Sequence, residues 1–301
     1  MKKIFIASTN LHLIISVILN SQDSLVFIGE NSIFFQTVSS SFENVLLLEE
    51  KKDKYKIQRR IENSQKLIHF VKQINPDEII VGNDRKIETA ILLKKYSCFY
   101  SYMDDGLHSY ILERNHLFKY TFFERIYKKF LYKNQLVLPK YIGTDKYIKK
   151  AYLFKPEYAH TLLKDKKLEK INIDKEILKT IFIKIVPDNI QKKLKSIKKI
   201  IFLPHPKFIS DYEMFIALID EDTMVKLHPR DTETVLDVEI LPSNISSEAL
   251  SPFISSQTRI YGFCTTAILT LRWFRDDLDI FYLEEENEFF EKNDIKKAII
   301  C

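Results

Sequence analysis

Cysteine is scarce in this chain. Cys98, Cys264 and Cys301 are the only three, and their spacing fits neither a disulfide framework nor a zinc site. A reducing compartment, the cytoplasm, is expected. Long apolar runs are lacking as well: no stretch reaches the ~18 apolar residues of a membrane-spanning helix. The opening MKKIFIASTNLHLIISVILNSQ has the lysines and apolar residues of a secretion signal. However, Ser8, Thr9, Asn10 and His12 interrupt its apolar run, and no small-x-small cleavage site follows. It reads as a buried strand over Lys3–Ala7, a polar turn and a helix over Leu11–Leu19. Repeats, low-complexity stretches, an arginine-rich tail and zinc-finger spacing are all absent, so nothing supports a nucleic-acid partner.

What the chain does have is core material and positive charge. Of its 301 residues 46% are hydrophobic and 29% charged, and the net charge is +5. That suits a globular protein of one large or two ordinary domains, with anionic partners such as nucleotides, acidic glycans or a phospholipid surface. The segments KIFIA, SLVFIG, NVLLLEE, DEIIVG and CFYSYMDDG read as strands. Tyr55 to Ile74 has helical spacing of Ile57, Ile61, Leu67, Ile68 and Val71. Strands that are apolar throughout and alternate with helices predict a parallel sheet covered on both faces. A second series follows in KKIIFLPHP, TMVKLHP, VEIL, TRIYGF and DIFYLEE, with SDYEMFIALI the clearest helix among them. The expected organisation is a Rossmann-like domain over 1–150, a lysine-rich connection over 151–196, and a second Rossmann-like domain over 197–301.

There are only five glycines, Gly29, Gly82, Gly106, Gly143 and Gly262, and each is expected at or near a strand end. In open α/β sheets ligands bind outside the carboxyl ends of the strands. The stretch YSYMDDGLHSY puts Asp104 and Asp105 at such an end, directly before Gly106. Asp and Gly are also common in ordinary strand-end turns. Adjacent residues of a strand point to opposite faces, so one of the two acids is expected to face a ligand and the other to be structural.

Three further elements lie in the second series. VKLHPRD leaves His228 and Pro229 at a sheet edge with Lys226 and Arg230 nearby. A histidine there can donate to a phosphate, or simply face solvent. IYGFCTTAILTL ends a strand at Gly262 and opens a helix at Thr265 and Thr266; its N-terminus suits a phosphate, and its threonines suit plain capping. In NISSEALSPF, Glu248 stands near a helix start, where a carboxylate can hold a ribose diol or just favour the helix dipole.

Acid-acid-Gly, then His-Pro, Glu and a Ser/Thr pair resemble the motifs of bacterial sialyltransferases. The chain looks most like the lipooligosaccharide and capsule sialyltransferases, glycosyltransferase family 52. ASTNLHLIISVIL is similar to that family's first strand-turn-helix, and YIGTDKYIKKAYLFKPE to its inter-domain region. The resemblance implies a GT-B fold, two Rossmann-like domains facing a central cleft, with the 1–150 domain on the acceptor side and the 197–301 domain binding the CMP donor. It also implies CMP-sialic acid as donor, a glycan hydroxyl as acceptor, inversion at the anomeric carbon, and no metal or other cofactor. Asp105 would be the general base, His228 would contact the departing phosphate, Thr265 and Thr266 would hold that phosphate, and Glu248 the ribose. The pair is Thr-Thr here where serine is commoner, and the hydroxyl is retained. A second His-Pro at His205 is a further donor-side candidate, and Asp211 is a rival base. Asp104, Gly106, Lys226 and Arg230 would support the site.

The alternatives are a different CMP-nonulosonic acid such as Kdo, a UDP-sugar donor, and a non-catalytic nucleotide- or glycan-binding protein. FKYTFFERIYKKFLYKNQ, Phe118 to Gln135, reads as an amphipathic helix with lysine on one face. It is either core-packed or a peripheral contact with the inner membrane, where a lipid-linked acceptor would sit. A homodimer is carried as an expectation; acceptor and linkage are not legible.

Overall fold

The computed structural model describes residues 1–19, 23–50, 56–112, 123, 126, 130, 132, 138–204, 213–228 and 238–298. The chain forms two compact units, Met1–Asp174 and Lys175–Cys301.

The first unit is built on a seven-stranded sheet. Its strands are β1 (Lys3–Ala7), β2 (Ser24–Gly29), β3 (Asn44–Glu49), β4 (Glu78–Val81), β5 (Phe99–Met103), β6 (Ile148–Leu153) and β7 (Lys167–Lys170). They lie in the order β3-β2-β1-β4-β5-β6-β7, and every pairing is parallel. Parallel neighbours require crossovers, which α1 (Asn10–Leu19), α2 (Ile33–Ser39), α3 (Lys56–Ile74) and α4 (Ile87–Lys95) supply. The central strands are apolar on both faces because both are covered: Ile4, Phe5, Ile79 and Ile80 are all fully buried. Each such side chain contributes about 1.5–3 kcal/mol relative to exposure. Strand order reverses between β1 and β4, so the loops after those strands diverge and leave a crevice at the sheet's carboxyl edge.

The second unit repeats the plan with β8 (Lys199–Phe202), β9 (Thr223–Lys226), β10 (Glu239–Leu241), β11 (Arg259–Gly262), β12 (Asp279–Tyr282) and β13 (Lys296–Lys297). The order is β10-β9-β8-β11-β12-β13, again all parallel, with its switch between β8 and β11. Each unit is thus a Rossmann-like doubly wound sheet.

The unit boundary differs from the sequence expectation. The 151–196 segment is not a separate connection. Its first part belongs to β6 and β7 of the first sheet, and the helices Lys175–Ile185 and Asp188–Ser196 belong to the second unit. The reason is edge position. β7 is KLEK with exposed ends, and lysines on an edge strand blunt it against further pairing, which hides the strand from a search for apolar runs. β13, two lysines at the other sheet's edge, is hidden in the same way. Gly143 also departs from expectation. It lies in a turn before β6 at φ +77°, where an added Cβ would come within 3.0 Å of the Tyr102 ring, and its amide donates to Asp84 Oδ1 at 2.9 Å. Among the described residues no helix is long and apolar enough to cross a membrane.

Candidate active site

Three loops of the first unit meet at its switch point: those after β1, β4 and β5. The loop after β5 carries the two adjacent carboxylates, and the fold gives them different surroundings. Asp104 is fully buried. Its Oδ1 accepts the Gly106 amide at 2.9 Å, and its Oδ2 accepts the Phe154 amide at 3.0 Å and the Tyr110 hydroxyl. Burial pushes its carboxyl up to about 6 against those hydrogen bonds. Asp104 therefore fastens the β5 loop to the end of β6. Gly106 can follow because its φ of +65° is open to glycine.

Asp105 points elsewhere. Its side chain is 11% exposed, and its Oδ1 stands 3.1 Å from His12 Nε2. Its Oδ2 accepts from Asn83 Nδ2 at 3.4 Å. Both neighbours are themselves oriented. Asn83 Oδ1 accepts the Arg85 amide at 3.0 Å, which turns the Asn83 NH₂ toward Asp105. His12 Nδ1 accepts the Ser8 backbone N–H at 3.3 Å. A backbone N–H can only donate, so Nδ1 offers its lone pair and the hydrogen of a neutral ring sits on Nε2, facing the carboxylate. The approach is short but imperfectly aligned as a hydrogen bond.

Gly82 makes this arrangement possible. A Cβ there would fall 2.4 Å from His12 Nδ1, so the imidazole occupies the space that any other residue would fill. Neither His12, Gly82 nor Asn83 stands among the residues expected from sequence to form the site. Their trace is a histidine in the first turn of an otherwise apolar helix, and a Gly-Asn at a strand end.

In the second unit, Glu248 is buried in the short helix Ser247–Leu250. Its Oε1 accepts the Thr270 hydroxyl and its Oε2 the Ser247 hydroxyl, both at 3.2 Å. Lys226 ends β9 and is also buried, its Nζ 3.3 Å from the Ser243 carbonyl and 3.4 Å from that of Leu227. Burial pulls its ammonium down to about 8, while the Glu248 charge opposes that shift. His228 follows, half-buried, two residues beyond the strand. Thr265 is the N-cap of the helix Thr266–Phe274, and its hydroxyl makes no capping bond. The helix's first i to i−4 bond is Leu269 to the Thr265 carbonyl, and the Thr265 amide itself donates to the Phe263 carbonyl at 2.6 Å. Glu284, after β12, accepts the Cys264 amide at 3.3 Å, so a phosphate at this loop would compete with that carboxylate. His205, Asp211, Pro229 and Arg230 lie outside the described residues.

Comparison with solved structures places the fold. The UDP-N-acetylglucosamine 2-epimerase of Neisseria meningitidis, bound to UDP-GlcNAc, is 12% identical with a TM-score of 0.59, covering 97% of this chain and 85% of that one. The epimerase of Rickettsia bellii is 17% identical with a TM-score of 0.59, covering 98% and 82%. That of Methanocaldococcus jannaschii is 12% identical with a TM-score of 0.57, covering 100% and 89%. At these identities the likeness is one of fold: two Rossmann-like parallel-sheet domains, the GT-B architecture. No curated protein matches the chain. The family model of glycosyltransferase family 52 matches residues 26–286, and the chain belongs to that family. It is a glycosyltransferase.

Proposed function

We propose that the chain is an inverting sialyltransferase, moving sialic acid from CMP-sialic acid to a hydroxyl of a lipooligosaccharide or capsule glycan. Family membership supports glycosyl transfer. The observation that carries the catalytic assignment is Asp105, a partly exposed carboxylate at the first sheet's switch point, steered by His12 and Asn83.

In this reading the acceptor oxygen attacks the anomeric carbon as the bond to the CMP phosphate breaks, and Asp105 takes the acceptor's proton. General-base assistance of this kind is typically worth ~10²–10⁴-fold. Negative charge grows on the departing phosphate, so groups aimed at it stabilise the transition state more than the ground state. His228, the Thr265 and Thr266 hydroxyls and the helix start behind them serve there, with Lys226 adding positive charge. Glu248 holds the ribose by accepting its hydroxyls. Asp104 positions the loop and takes no proton.

The test is CMP release and glycan product from CMP-sialic acid across an acceptor panel, with CMP-Kdo and UDP-sugars as competing donors. Turnover of CMP-sialic acid alone supports the proposal. Preference for a UDP-sugar overturns the donor assignment, and a CMP-induced thermal shift with no turnover or donor hydrolysis would make this a binding protein.

A further inference from the structure

Most of the stretch from Phe118 to Gln135 lies outside the described residues, whereas the carboxyl edge of the second sheet is described without a break from β11 through β12. There the Leu283 amide donates to the Gly262 carbonyl at 2.9 Å, which extends the pairing of β11 with β12 past the end of β12. The next residue, Glu284, is half-buried and sets its Oε2 on the Cys264 amide at 3.3 Å, while Glu285 and Glu286 are exposed. The acceptor on that amide is thus a side-chain anion from a neighbouring loop. The contact lies one residue before Thr265, whose hydroxyl makes no capping bond. A carboxylate oxygen on a backbone amide beside two threonine hydroxyls occupies a place that suits an anionic oxygen.

We propose that Glu284 is a specificity-determining residue of the donor site: it makes the loop of Cys264, Thr265 and Thr266 hold the singly charged diester of a CMP-sugar in preference to the doubly charged monoester of CMP. This role rests on the reading of the loop as the donor's phosphate site. A phosphate that reaches the Cys264 amide replaces the carboxylate there, and Glu284 stays close because Leu283 is pinned to Gly262. Its repulsion then grows with the charge on the ligand. A phosphodiester carries one negative charge, and a monoester carries about −1.5 to −2 at neutral pH. In transfer the bond from the anomeric carbon to the phosphate oxygen breaks, its electron pair stays on the phosphate, and the acceptor's proton goes to Asp105. The ligand at the loop gains charge as the sugar leaves, so Glu284 favours departure of the product over departure of the donor. The Lys226 ammonium acts in the opposite sense, and the preference is the balance of the two.

The experiment is calorimetric titration of the full chain with CMP, with singly charged cytidine 5′-methylphosphate and with uncharged cytidine. Wild type, Glu284→Gln and Thr265→Ala/Thr266→Ala are compared, with melting temperatures alongside. Glu284→Gln keeps the side chain's length and an oxygen for the Cys264 amide. It should bind CMP about fivefold or more tightly than wild type, gain less for the methyl ester and leave cytidine unchanged. The gain for CMP should shrink at high salt. Glu284→Ala should rank the three ligands in the same way, which guards against an effect peculiar to glutamine. If the folded Glu284 variants bind CMP no more tightly than wild type, or gain equally for CMP and its methyl ester, the proposal is overturned. The phosphate reading survives that outcome where the threonine pair still weakens CMP. Absence of CMP binding by the wild type, or full CMP affinity in the threonine variant, overturns the phosphate reading and the role of Glu284 together.

Discussion

His12 Nε2 stands 3.1 Å from Asp105 Oδ1, and the ring that makes this contact fills the space a side chain at position 82 would need. A strand-end glycine, a helix histidine and a loop aspartate thus form one mechanical unit. Gly82→Ala should displace the imidazole, lower stability by ~1–3 kcal/mol and cut turnover. His12→Ala should cut turnover without that clash. In the double variant the overpacking is relieved, so melting temperature should recover toward that of His12→Ala while activity stays low. Additive losses of stability in calorimetry would show that the ring and the glycine are not coupled.

Asp104 and Asp105 are neighbours with opposite duties, and substitution should separate them. Asp104→Asn turns an NH₂ toward donors that now reach a carboxylate oxygen, at a cost of ~1–3 kcal/mol in stability. Its kcat should fall far less than that of Asp105→Asn, which should leave the melting temperature near wild type. Denaturant melts and initial rates on the same preparations decide this.

Asp84 gives a pH dependence. Fully buried, it accepts the Gly143 and Asp145 amides, and burial lifts its carboxyl up to about 7. A carboxyl raised in the folded state binds its proton more tightly there than in the unfolded chain. Its contribution is full below the ordinary aspartate range and is lost as pH rises through about 7. Asp84→Asn, which cannot titrate, should reduce the fall in melting temperature between pH 5 and pH 8 (roughly the span over which a group at about 7 loses its proton). An unchanged pH profile would remove Asp84 as its source.

On the donor side, the Thr265→Ala/Thr266→Ala pair should raise the KM for CMP-sialic acid, with a smaller effect on kcat. Glu248→Ala should weaken CMP binding about tenfold or more, as expected when hydrogen bonds to a charged group are lost. Steady-state kinetics and calorimetric titration with CMP measure these, and an unchanged KM or Kd would take the residues out of the nucleotide site.

Much of the fold was legible because buried parallel strands write themselves as uninterrupted apolar runs: β1 to β5 and β8 to β12 all fall within such runs. The edge strands β7 and β13 were not, because their lysines face solvent and read as loop. Of the candidate site, the divergence of Asp104 and Asp105 was legible, because neighbouring residues at a strand end point to opposite faces: Asp104 is held by the Gly106 and Phe154 amides, and Asp105 is turned to His12. His12 was hidden because a histidine among apolar helix residues has the same sequence appearance whether it packs in a core or holds a carboxylate; only the alignment of β1, β4 and β5 brings it to Asp105. Gly82 was recognised as a strand end, but its partner was not, since the close approach is made across the sheet.

The most direct test is the rate of CMP release and sialoside formation by wild type and Asp105→Ala, with melting temperatures alongside. The account predicts acceptor-dependent turnover by the wild type and a loss of ~10²–10⁴-fold in the folded variant. Near wild-type turnover by Asp105→Ala would contradict it.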